Sequence, residues 1–287
     1  MRKSLYLCLA VVAACGKGEV QHDATGAARK ALAEGSPRRA IGFVREATSG
    51  PELVLRLRAQ IAIDEWGSAE GLLAKLPDGA DKRGVMCLLE AARTDIGGYL
   101  RCEEARKLSY EDPVLGDEVA VALAKSYETE HRPGEAEKVL RALVGERPTA
   151  PNRRALVDFF DRQGFVKDAV EALEVWFAQS PDDPTLRARL GQLLERKVRG
   201  DLLDKRWADA EAAARRCLAL IPQKGEVRYY LADALAGQGK ANEAEAERAT
   251  AKSAGVKAPP PVDSFPGMGN APVPDQPPGD TLPRVAP

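Results

Sequence analysis

Two histidines, five cysteines and 43 acidic side chains are the groups in this 287-residue chain that could move protons, ligate metal or attack a carbonyl. Their spacing supports little of that chemistry. His22 falls in a polar stretch near the start and His131 in a turn between apolar-periodic segments, so each reads as a solvated surface residue rather than a base. Acid pairs such as Glu103-Glu104 and Asp182-Asp183 belong on solvated faces, and nothing fixes the carboxyl separation that glycoside hydrolysis needs. No CxxC pair and no Cys/His cluster at ligand spacing occurs, which disfavours a zinc or redox site. Gly237-Gln238-Gly239-Lys240 lacks P-loop spacing, and no G-x-S-x-G, H-E-x-x-H or kinase signature is present. The expectation is no catalytic residue, no metal, no cofactor and no small-molecule substrate. Cys15 stands apart. Its sulfur is a nucleophile that can form a thioether, and it follows the ten-residue apolar run from Leu5 to Ala14 directly.

Arg2 and Lys3 precede that run, giving the layout of a secretory signal too short to span a bilayer. Val12-Ala13-Ala14-Cys15 resembles the bacterial lipobox. The resemblance implies cleavage after residue 14, a diacylglycerol on the Cys15 sulfur and an acyl chain such as palmitate on the new amino terminus. Together these give stable anchoring where one chain gives only marginal binding. Gly16 stands where many enterobacterial lipoproteins retained at the inner membrane carry aspartate, so the resemblance favours the periplasmic face of the outer membrane. An ordinary signal cut after Ala14 is the alternative. With the leader gone and Cys15 capped, Cys87, Cys102 and Cys217 remain in an oxidising compartment. Cys87 and Cys102 fall on consecutive expected helices and could pair. Cys217 falls at a helix–helix contact, where a buried free thiol is the usual outcome.

The elements that carry these residues are expected to be helices. The chain is rich in Ala, Leu, Glu and Arg, and only 5% of it is aromatic. Its net charge of −1 gives no general attraction to nucleic acid. Four stretches align: Leu123-Ala124-x-x-Tyr127, Leu156-Val157-x-x-Phe160, Leu190-Gly191-x-x-Leu194 and Leu231-Ala232-x-x-Leu235. A second helix follows each near Ala136, Ala169, Ala210 and Ala244, at steps of 33, 41 and 34 residues. Pro148, Pro181 and Pro222 close the first three units. Small residues in both helices permit close approach, the leucines fill the groove beside them, and Gly164 and Gly239 suit the intervening turns.

This pattern resembles the tetratricopeptide repeat (TPR), whose period is 34. It departs in two respects. The tryptophan expected early in the first helix is replaced by Ala120, Arg153, Arg187 and Arg228, and the third unit has seven extra residues around Lys197 to Arg206.

The expected organisation is a signal peptide over 1–14, lipidated Cys15 with a tether over 15–25, and degenerate helical hairpins over 26–112. Four TPR-like repeats follow over 117–256, with a disordered Pro-rich tail over 257–287. Ten of the chain's 20 prolines lie in that tail, which cannot bury a core. The fold class is all-α, roughly seven helical pairs in a TPR-like right-handed solenoid, although a break at Pro113 to Gly116 could instead separate two subdomains.

In the TPR family the first helices line a concave face that holds extended peptides or partner helices. Carried over position by position, that face comprises Lys125, Glu128, Arg154, Asp158, Arg162, Gln192, Arg196, Tyr229 and Asp233. The Lys/Asn clamp for a C-terminal carboxylate is not reproduced. The layout is similar to lipoproteins of β-barrel assembly and of pilus secretins. It implies a non-catalytic, lipid-anchored scaffold that binds protein partners, with no nucleic acid partner. A soluble periplasmic adaptor is the alternative.

Overall fold

The computed structural model describes residues 16–260. The leader, Cys15 and residues 261–287 of the tail lie outside the described residues. Fourteen helices, and no strand, occur among the described residues. In chain order they are Gly16–Ala33 (α1), Pro37–Phe43 (α2), Gly50–Ile61 (α3), Trp66–Leu73 (α4), Ala80–Arg93 (α5), Gly98–Arg106 (α6) and Pro113–Thr129 (α7). The rest are Pro133–Glu146 (α8), Ala150–Arg162 (α9), Val166–Phe177 (α10), Pro184–Leu203 (α11), Trp207–Leu220 (α12), Glu226–Gly237 (α13) and Ala241–Ser253 (α14). They make seven helix–turn–helix pairs, as the periodicity implies. Residues 16–25 of the expected tether are helical and form the first part of α1, which continues into the strong helix formers Ala27 to Leu32.

One turn closes every pair. In each, a residue with positive φ follows the first helix: Gly35, Asp64, Thr94, His131, Gly164, Lys205 and Gly239. The next residue's N–H then donates to a carbonyl five residues back, as in Glu65 to Gln60, Arg132 to Tyr127, Arg206 to Asp201 and Lys240 to Leu235. This is the Schellman closure, which satisfies carbonyls the helix end would otherwise orphan. Only three of the seven are glycine. The others accept a left-handed backbone that costs a side-chain-bearing residue about 1–2 kcal/mol.

The repeat positions are the core. Ala124, Ala136, Ala169, Ala210, Ala232 and Ala244 are each no more than 1% exposed, and Leu123, Leu156, Leu190 and Leu231 are buried beside them. Gly191 is buried too, and a Cβ there would stand 2.3 Å from the Ile221 side chain. The Ile221 side chain thus packs onto the α11 backbone where the sequence places its smallest residue.

The described residues form two compact units, divided between residues 159 and 160. The possible break at Pro113 to Gly116 is not a boundary. Pro113 occupies the first turn of α7, where its fixed φ favours helix, and the Asp112 carboxylate accepts from the Val114 N–H at 3.0 Å. Within the first unit each hairpin packs on its sequence neighbours: α1–α2 on α3, α3 on α5, and α5–α6 on α7. Cys87 of α5 and Cys102 of α6 form a disulfide, both fully buried. In the second unit α11–α12 pack on α13–α14. Cys217 is free and buried, and its thiol donates to the Gly191 carbonyl at 3.3 Å.

The seven extra residues of the third repeat lengthen α11, which has 20 residues against 13 in α9 and 12 in α13. At its end Asp201 is 2% exposed, accepting from Lys197 Nζ at 2.6 Å and Arg206 Nη2 at 2.7 Å.

A second polar knot joins α12 to the α13–α14 turn. Glu211 accepts from Lys240 Nζ, Arg215 Nε and Gln238 Nε2, each at 2.8 Å. These donors hold its carboxyl down at about 2, against the ordinary 4.5. A carboxyl whose folded pKa is depressed contributes stability above its unfolded pKa, and that contribution is lost as pH falls through the folded value. Glu211→Gln should therefore weaken the second unit at pH 7 and make less difference as pH drops from 4.5 towards 2. Urea unfolding of both forms at pH 7 and pH 2.5 checks this, and an equal difference at the two pH values would contradict it.

Candidate functional site

The second unit carries an open groove of about 370 Å³ along α11. Thr185, Ala188, Arg189, Gln192, Leu193 and Arg196 line it from α11, and Asp161 lines it from the end of α9. Positions 185, 189, 192 and 196 step by four, three and four residues, so one helical face supplies Thr185, Arg189, Gln192 and Arg196. Leu190 and Leu194, out of phase with that face, are buried beneath it. Asp161 is the hub of the charges. It pairs with Arg196 and, at 3.6 Å, with Arg189. The groove thus presents two guanidinium groups around one carboxylate, with an exposed amide at Gln192. Such a surface offers directed, charge-assisted hydrogen bonds to an extended chain.

The lengthened α11 forms a second, larger recess of about 890 Å³ with α10 and α12. Its floor includes Phe165, Val170, Leu194 and Ala213, and its edge holds Lys197, Asp201 and Arg206 in the cluster described above. The carboxylates and cations at this edge compensate one another, so it offers shape and apolar area more than net charge.

The positions carried over from the TPR face fall in different places. Gln192 and Arg196 lie together on the α11 groove. Arg162 is exposed at the end of α9. Asp233 of α13 is exposed and accepts from Arg248 of α14 at 2.9 Å. Tyr229 does not face outward. It is 8% exposed, and its hydroxyl donates to the Val256 carbonyl at 3.0 Å. The cause is the chain returning after α14. Val256 lies so close to Gly225 that a Cβ there would come within 2.3 Å of it. In the first unit Lys125 is exposed and Glu128 half-buried on α7, and on α9 Arg154 is exposed and Asp158 half-buried.

Sequence reasoning missed Asp161, Thr185 and Arg189. The last two were available from the phase of α11, one or two turns before Gln192. Asp161 belongs to the preceding hairpin, and no repeat position marks it. Also unforeseen was a cluster beside Lys125 and Glu128. The Arg132 guanidinium lies 4.8 Å from the Tyr127 ring centre and 5.0 Å from that of Tyr99, a cation–π arrangement. Burial, aided by a hydrogen bond from its hydroxyl to Glu103, pushes the Tyr127 phenol up to about 12. It therefore stays a neutral donor across the physiological range.

Among the described residues no group of three His, Cys, Asp or Glu side chains is placed to hold a metal ion. Nor is any helix there long and apolar enough to cross a membrane.

No family model and no curated protein matches the chain. Solved structures do. The thermophilic TPR protein TTC0263 of Thermus thermophilus is 16% identical, with a TM-score of 0.47, covering 61% of this chain and 98% of that one. A monomeric mutant of IFIT1 with Gppp-AAAA is 15% identical, with a TM-score of 0.40, covering 82% of this chain and 59% of that one. BtubC of P. vanneervenii is 16% identical, with a TM-score of 0.35, covering 85% of this chain and 94% of that one. Each likeness concerns the fold, and none carries the functional argument. The paired helices, their buried small residues and their common turn make an all-α repeat of helical hairpins, similar in fold to TPR proteins.

Proposed function

We propose that this chain is a non-catalytic scaffold, anchored through lipid on Cys15 to the periplasmic face of the outer membrane. There it holds protein partners through the faces of its first helices. The observation that carries the binding half is the α11 groove, where Asp161, Arg189, Gln192 and Arg196 converge on an open strip of helix. The anchoring half rests on the order Arg2-Lys3, apolar run, Val12-Ala13-Ala14-Cys15. A buried Cys87–Cys102 disulfide is consistent with folding outside a reducing cytosol. Lipid confines the scaffold to a surface and raises its effective concentration towards partners there. Assembly of a β-barrel or secretin-type complex is the kind of task that suits this layout.

Crosslinking pull-down from envelopes, with wild type beside Cys15→Ala and Gln192→Ala/Arg196→Ala, separates the two halves. The groove variant should lose the main partner at least tenfold while fractionating with membranes. Cys15→Ala should lose palmitate labelling and anchoring. Unchanged partners in both variants would leave a soluble adaptor with another binding face.

A further inference from the structure

The first hairpin carries a patch that the partner-binding reading does not use. Between residues 28 and 46 the chain holds five cations, Arg29, Lys30, Arg38, Arg39 and Arg45, against two acids, Glu34 and Glu46. The whole chain, by contrast, sums to −1. On α2 the buried side is Ala40, followed by Val44 just past the helix end. One turn apart, these fix the opposite side as Arg38 and Gly42, with Arg39 and Phe43 on the flank between, all four exposed and without an acid among them.

The patch is continuous. Glu34 lies 3.8 Å from Lys30 and 3.9 Å from Arg39, and the Arg39 guanidinium lies over the Phe43 ring at 5.8 Å. Phe43 is 40% exposed, one of few large apolar side chains so placed among the described residues. Arg45, exposed, comes two residues later. An aromatic ring set among arginines, with Glu34 shared between Lys30 and Arg39 and Glu46 beside Arg45, keeps a net positive charge and matches the layered chemistry of a bilayer surface. The ring enters the headgroup region, the cations meet phosphates, and the charge imbalance favours anionic lipid. α2 packs directly on α1, the helix that follows Cys15.

We infer that the exposed surface of α2 and of the turn after it, with Arg38, Arg39, Phe43 and Arg45, is a membrane-contact surface that binds anionic phospholipid headgroups. It extends the anchored reading, yet needs no acyl chain. Basic side chains add about 1 kcal/mol each near an anionic surface, so three arginines correspond to about a 100-fold preference for anionic vesicles.

The test is co-sedimentation of the purified full chain with vesicles of phosphatidylcholine alone, and with vesicles containing phosphatidylglycerol. Acyl chains on Cys15 bind both kinds, whereas the α2 surface adds an increment only where phosphatidylglycerol is present. The expected result is a phosphatidylglycerol preference that falls about 100-fold in Arg38→Ala/Arg39→Ala/Arg45→Ala and collapses with added salt. Binding to phosphatidylcholine should stay at the wild-type level. Lys107→Ala/Lys138→Ala/Lys252→Ala, which removes three cations elsewhere, should keep the preference. A wild-type preference that survives in the arginine variant overturns the inference. So does its absence from wild type, which would assign the patch to an acidic protein surface. Loss of phosphatidylcholine binding with the preference intact would count against the acyl anchor alone.

Discussion

Replacing both Cys87 and Cys102 by serine should release α6 from the first unit. Nine residues are too few for a helix to stand alone in water, and α6 buries only Gly98, Cys102 and Ala105. Its apolar neighbours point the other way, with Ile96 91% and Leu100 56% exposed. The bond to α5 is a covalent tie added to the contacts α6 makes with α5 and α7, and it spans 15 residues of sequence. A loop of that size confers about 3 kcal/mol on the chain-entropy estimate. The Ser/Ser variant, or the reduced protein, should lose amide protection across 98–106 and become susceptible to trypsin at Arg101 and Arg106. Cys217→Ser, which touches a thiol outside the bond, should leave α6 protected. Equal protection in the oxidised and reduced forms would show that packing alone holds α6.

Arg58→Met should cost the first unit about 2–3 kcal/mol. Arg58 projects from α3 with its side chain 5% exposed. Its Nε and Nη2 both donate to Glu118 at 2.7 Å, and its Nη1 donates to Asp112 at 2.9 Å. Burial alone would lower its pKa, but the two carboxylates outweigh burial and hold the guanidinium above its ordinary range. Removing one partner of a buried pair costs about 3–5 kcal/mol. The lower figure applies because Glu118, 37% exposed, regains water once Arg58 is gone. Asp112 would keep its bond to the Val114 N–H and with it the start of α7. Hydrogen exchange on α3 and α7 gives the measurement. Arg58→Met/Glu118→Leu should recover part of the loss, because the orphaned carboxylate is then removed as well. A double variant no better than the single would contradict this.

The two cases show which parts of the fold the sequence could reveal. Hairpins were legible because Ala124, Ala136, Ala169, Ala210 and Ala244 recur in register with the repeat, and each does the same packing job. The left-handed turn was legible only at Gly164 and Gly239. Asp64, His131 and Lys205 adopt the same backbone without the residue that advertises it. Arg58 could not be paired by inspection, since Glu118 lies 60 residues away and the 34-residue period does not link them. On the α11 groove, Gln192 and Arg196 followed from helical phase, while Asp161 came from another hairpin. Tyr229 was misplaced because its surroundings are set by residues after the last repeat, where periodic reasoning ends.

The lengthened α11 has a consequence for how this chain can vary. Seven residues are almost two whole turns, so the insertion rotates the downstream part of the helix by only about 20°. Leu190, Leu194, Val198 and Leu202 accordingly remain one buried stripe through the added segment. An insertion of five residues would swing the downstream part by about 140°, turning Leu202 to water and the charges of its neighbours inward. Relatives of this chain that differ in α11 length should therefore differ in whole-turn multiples, with lengths between them missing, like teeth skipped on a ratchet.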